Sequence, residues 1–180
     1  LALLEARARD LRGAAIIGHG WDETRWPEAR PPSRDEVDRA TWGSVVYLSR
    51  IDVHSAVVSS ALVAQVPGVR DLAGWDPTGP LSQHAHHAVR EATLGTIGAG
   101  QRAAAHRVTR ERAGSLGIVS MHEMAGPTIS SEDDLAELLA LSRVEPGPTV
   151  VGYWGQLARE GGIERARTLG ARGVAGDLFV

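Results

Sequence analysis

Five short apolar runs, each broken off by polar residues and parted from the next by helical periodicity, set the limits on how this chain can fold. They lie at residues 14–17, 45–48, 118–121, 150–154 and 174–180. Strands that alternate with helices at this spacing are joined by right-handed crossovers, which makes them parallel and the fold α/β. Between them, Leu1, Leu4, Ala8 and Leu11 share one face of a helix over residues 1–12, with Gly13 placed to cap its end. Ser33 and Glu36 have capping-box spacing, opening a helix that runs to about residue 40. Further helical patterns cover 55–66, 82–94, 101–113, a stretch after Ser131 and 163–169, while the Pro- and Gly-rich residues 67–81 read as a loop.

Composition narrows the class. The chain has 180 residues, 43% of them hydrophobic, enough for a core of domain size. No apolar run approaches the roughly 20 residues of a membrane helix, and residues 1–12 are too charged for a signal peptide. A net charge of -3 gives no reason to expect a nucleic acid or an anionic membrane as partner. Cysteine is absent, which suits a cytoplasmic location. The chain begins without methionine and ends on the apolar run Leu178-Phe179-Val180, so it is expected to be an internal fragment.

Reactive side chains cluster where the runs end: His19 and Asp22, Asp52 and His54, His122 and Glu123. In parallel α/β folds the carboxyl ends of the strands form the functional face. The first cluster lies in Ile16-Ile17-Gly18-His19-Gly20-Trp21-Asp22-Glu23, where glycines 18 and 20 would let a strand turn into a loop. That loop suits either the rim of a site or a surface connection whose tryptophans cap a core. Asp52 and His54 would share a face if their strand continued, or simply end it. His84, His86 and His87 form the most tempting metal motif, but their surroundings are helical. Residues two apart on a helix diverge, so a solvated or helix-capping role is favoured. No nucleophile elbow, phosphate loop or dinucleotide glycine fingerprint follows any run.

Three segments together carry a family resemblance: Gly18-His19-Gly20-Trp21-Asp22-Glu23 with Trp26, Val46-Tyr47-Leu48-Ser49-Arg50-Ile51-Asp52-Val53-His54, and Gly117-Ile118-Val119-Ser120-Met121-His122-Glu123-Met124. In that order they resemble the amidohydrolase superfamily. Within it they are similar to the family 3 branch of metal-dependent TIM-barrel hydrolases, which includes N-substituted formamide deformylase. Gly176-Asp177-Leu178-Phe179-Val180 resembles that branch's fourth barrel strand.

The resemblance implies a partial (β/α)8 barrel, about strands two to four, preceded by an α/β insertion. Residues 1–95 would be the inserted segment covering the active face, and 96–180 the barrel part. It implies hydrolysis of a non-peptide carbon–nitrogen bond in an amide, N-acyl or N-formyl small molecule. A divalent metal, zinc, would lower the pKa of bound water toward about 7. Trp21, Asp22, His54 and His122 would shape the substrate pocket, and Asp177 would ligate metal. The remaining ligands and the catalytic residues would lie outside this chain, with homo-oligomerisation left open. Asp177 stands where relatives often carry a metal-bridging lysine, Ser59 where they often have asparagine and Gln83 where they often have glutamate. The competing reading is a catalytically inactive α/β ligand-binding or interaction module.

Overall fold

The computed structural model describes residues 1–11, 13–127 and 129–174. They form two compact units, Leu1–Thr96 and Ile97–Val180, both mixed α/β. No helix among the described residues is long and apolar enough to cross a membrane.

In the first unit, α1 (Ala2–Leu11) leads into β1 (Ile16–Trp21), and α2 (Arg34–Thr41) into β2 (Val46–Arg50). β1 and β2 are parallel, with Ile16 opposite Val46 and His19 opposite Ser49. The capping box of α2 forms as the sequence indicates: Ser33 Oγ accepts from Glu36 N, and the Glu36 carboxylate accepts from Ser33 N. β1 does not stop at Gly18. An added Cβ there would lie 2.7 Å from Leu48 Cδ2, so this glycine permits close approach of β2 rather than a turn. The irregularity comes at Gly20, φ +89°, where the register shifts between His19 and Trp21.

Residues 55–66 are not one helix. Ser55–Val58 form β3, and only Ser60–Ala64 are helical, as α3. A short apolar run fits a buried strand as well as a helix, and here pairing decides. β3 runs antiparallel to β2, Leu48 opposite Val57, and Ser59 Oγ closes the strand by accepting from Leu62 N and from Val46 N. β4 (Leu81–Ser82) adds antiparallel to β3, giving the order β1-β2-β3-β4. The all-parallel expectation therefore fails in this unit, because residues 51–54 are too few for a crossover and turn the chain back at once. α4 (Gln83–Leu94) follows.

Both faces of this sheet are covered. Tyr47, Ala56, Val58 and Leu81 pack with Leu62, Ala85 and Val89 on one side. Val46 and Val57 pack with Ile16, Ala8 and Val37 on the other. Alternate residues of each strand thus enter different cores, and β3 reads as a continuous apolar run.

In the second unit, α5 (Ala99–Ser115), β5 (Ser120–Ala125), α6 (Glu132–Val144), β6 (Thr149–Gly155), α7 (Gly162–Leu169) and β7 (Arg172–Val174) alternate, and the strands are parallel in the order β5-β6-β7. β5 begins later than the apolar run at 118. Gly117, φ +80°, ends α5, and Ile118 N donates back to Ala113 O, so that residue still belongs to the helix cap. Ala125, Trp154, Leu135, Leu139 and Ala166 form the core on one sheet face. Buried Arg110 donates to Glu145 O and Pro148 O, fixing the approach to β6. The fifth expected strand, 174–180, lies outside the described residues after Val174.

Candidate functional site

At the carboxyl ends of β1 and β2 the polar side chains bind one another. Trp21 Nε1 donates to Leu48 O at 2.8 Å, and the Arg50 guanidinium lies 5.8 Å from the Trp21 ring centre. Asp22 caps a one-turn 3-10 helix, accepting from Thr24 N and from Thr24 Oγ1, and the hydroxyl bond holds its carboxyl below the usual range. Arg50 forms a forked pair with Glu23, both contacts at 3.0 Å, and donates to Asp52. Asp52 also accepts from His54 N, which keeps it ionised.

The strand does not continue through Asp52 and His54. They sit in an exposed turn whose apex, Val53, has φ +57°. A β-branched residue in the left-handed region is strained, and the hydrogen bond across the turn helps hold it. Trp21 and Asp22 are half-buried and His54 is exposed. The Glu23–Arg50–Asp52 bridge linking their two segments was not legible, because Glu23 follows β1 while Arg50 and Asp52 lie 27 or more residues later, at and after the end of β2.

His84, His86 and His87 lie on α4, as their surroundings indicate. His86 is 1% exposed and its Nε2 lies 2.8 Å from the Tyr47 hydroxyl, while its Nδ1 is buried with no hydrogen-bond partner among the described residues.

In the second unit, one face of β5 and β6 is packed and the other open. His122 stands on the open face, its Nδ1 3.1 Å from the Tyr153 hydroxyl of β6, the two rings stacked with centres 5.7 Å apart. Tyr153 was missed as a site residue because a strand tyrosine has no signature until register brings it beside a histidine.

Glu123 faces the packed side. Its carboxyl is pushed up, first by burial and then by the Asp134 carboxylate, against a smaller pull from His106. Asp134 Oδ1 is 3.0 Å from His106 Nε2, but off the angle of a good hydrogen bond. A raised carboxyl pKa means that folding favours the protonated form, so stability is lost as pH rises through the folded-state value. Glu123→Gln is accordingly expected to be more stable than wild type at neutral pH. The two should converge in acid below the ordinary glutamate range, as read by thermal unfolding at about pH 4 and about pH 7.5. Equal melting temperatures at both would contradict the assignment.

No three His, Asp or Glu side chains among the described residues converge to hold a metal ion. His106 lies beside Asp134, and the His87 ring lies near those of His84 and His86. A metal centre does not fit these residues, and no chemical step through a metal is assigned to them. Asp177 lies outside the described residues.

The arrangement of strands and helices is similar to two crystal structures. One is of an uncharacterized metal-dependent hydrolase from Pyrococcus furiosus, with TM-score 0.59 and 23% identity, the match covering 93% of this chain and 34% of that one. The other is of an uncharacterized metal-dependent hydrolase from Pyrococcus horikoshii OT3, with TM-score 0.60 and 19% identity, covering 93% and 33%. At that identity the likeness establishes the fold, and this chain spans about a third of each of those two chains. No curated protein matches it. Residues 1–173 match the amidohydrolase family. The chain belongs to that family.

Proposed function

We propose that these residues are part of a metal-dependent hydrolase that cleaves a non-peptide carbon–nitrogen bond in a small amide, N-acyl or N-formyl compound. The family match over residues 1–173 carries this reading. β5, β6 and β7, parallel and joined through α6 and α7, suit barrel strands two to four, and residues 1–95 are read as the inserted segment that the family resemblance implies. A cytoplasmic location, and a small molecule rather than a nucleic acid or membrane as partner, go with this reading.

The divalent metal, zinc by family resemblance, would activate water, its ligands coming mostly from the rest of the polypeptide with Asp177 as this chain's contribution. What the described residues supply is substrate contact. His122 and Tyr153 offer a donor and an acceptor on an open sheet face, suited to gripping an amide's polar atoms. The lobe supplies Trp21, Asp22 and His54; Asp22 is already bound to Thr24, so its part is to shape the loop.

The test is turnover of a panel of N-formyl and N-acyl amides by the full-length protein and by the isolated 180 residues. The full-length enzyme is expected to hydrolyse at least one, with His122→Ala raising KM. The isolated chain is expected to hydrolyse none. Robust turnover by the isolated chain would overturn the division of labour proposed here.

A further inference from the structure

α5 has no apolar stripe. The side chains that it turns away from water are Arg102, Ala103, His106, Arg110 and Ala113, while Val108 is 65% exposed and Leu116, which caps the helix, 62%. Among the described residues, no α5 side chain joins the core of Ala125, Leu135, Leu139, Trp154 and Ala166. Most helices keep their place by burying an apolar face. α5 keeps its place by polar contacts. Arg102 forks onto Glu137 at 3.0 and 3.2 Å and lies 4.0 Å from Asp134. It also donates to Ile97 O at 3.0 Å, tying down the chain just before the helix. One turn on, His106 Nε2 is 3.0 Å from Asp134 Oδ1. Arg107 forks onto Glu145 at 2.7 and 2.9 Å, and Arg110 donates to Glu145 O and Pro148 O.

Every carboxylate in this set lies on α6 or at its C-cap, and α6 has its own seat through buried Leu135, Leu138 and Leu139. Separating α5 from α6 therefore exposes little apolar surface and leaves the sheet's packing whole. It also returns Arg110, 3% exposed, to water, where its guanidinium regains the hydration given up on burial. The Arg102–Glu137 and Arg107–Glu145 pairs are reached by solvent, so salt screens them.

We propose that α5 is an ionic strap: it lifts from α6 as a unit while β5, β6 and α6 stay folded, and ionic strength sets how often it does so. Contacts screened by salt and a polar inward face make this the part of the second unit that opens first. Because α5 is the first element after the boundary between residues 96 and 97, its release turns residues 97–119 into a free tether between the first unit and β5. The strap stands independently of the hydrolase reading, which gives no role to Arg102, His106, Arg107 or Arg110.

The experiment is hydrogen exchange of the intact protein, read by mass spectrometry in dilute buffer and in about 1 M sodium chloride, with the sheet amides as internal reference. Amides of α5 are expected to exchange about tenfold faster in high salt, while those of β5, β6 and α6 change by less than about twofold. In dilute buffer Glu137→Gln should speed α5 exchange about tenfold, by weakening the forked pair, and should shrink its salt dependence. Arg107→Gln, at the more exposed pair, should speed it about twofold. Arg165→Gln, which removes the α7 partner of Glu132, should leave α5 unchanged. Exchange of α5 that keeps pace with the sheet in both buffers, or that either salt or Glu137→Gln leaves unaltered, would overturn the proposal.

Discussion

Arg34→Met is expected to cost the first unit about 3 kcal/mol, which lowers its melting temperature by about 10 °C or more. Arg34 is 5% exposed and stacked 4.5 Å from the Trp75 ring centre, and it holds three backbone carbonyls. Its guanidinium donates to Pro77 O at 2.6 Å, Asp76 O at 2.8 Å and Val58 O at 3.3 Å. One side chain thereby ties the start of α2 to the end of β3 and to the loop before β4. Methionine fills much of the volume but leaves those carbonyls with no donor, and loss of the interaction rather than of packing sets the size of the effect. Arg34→Lys keeps the charge but cannot fork to three acceptors, so it should recover only part of the loss. Chemical denaturation of the three proteins checks the order. Arg34→Met within about 0.5 kcal/mol of wild type would contradict it.

Gly162→Ala is expected to destabilise the second unit by about 2–3 kcal/mol. A Cβ at this first residue of α7 would lie 2.2 Å from Gln156 O and 3.0 Å from Leu157 O, both backbone atoms that cannot swing aside. The strain passes to Gln156, whose side chain accepts from Trp154 Nε1 at 2.9 Å and donates to Glu160 O. Near-ultraviolet circular dichroism of the buried Trp154 should therefore change along with stability. Gly161 separates two causes, because it has φ +83° but open space around its Cβ position. Gly161→Ala should cost only the left-handed backbone penalty, about 1 kcal/mol. Equal losses at the two positions would show that close approach is not what Gly162 provides.

Features set by local chemistry were the legible ones. The Ser33–Glu36 capping box, the Gly13 helix end and the helical setting of His84 to His87 follow from residue types a few positions apart. Features set by pairing were not. Ser55–Val58 carries an apolar run that suits helix or strand, and only the turn at Val53 and the antiparallel partner in β2 settle it. Gly18 looked like a turn residue because its close neighbour, Leu48, lies thirty residues further on.

The same division runs through the candidate site. Clusters at the ends of apolar runs were visible, yet Trp21 and Asp22 prove to be tied to Leu48 O and to Thr24. The contacts that make His122 and His86 chemically interesting, to Tyr153 and Tyr47, join residues 31 and 39 positions apart. Nothing in the sequence neighbours of Arg34 and Arg110 announces that carbonyls from distant segments close around these buried side chains.

The most direct test of the central claim is the divalent-metal content of the full-length protein, measured by elemental analysis beside the isolated 180 residues, with amide hydrolysis followed before and after chelation. The account predicts bound metal in the full-length protein, activity that falls on chelation and returns with added zinc, and no retained metal in the isolated chain. A full-length protein that binds no divalent metal, or hydrolyses amides equally well without one, would contradict it.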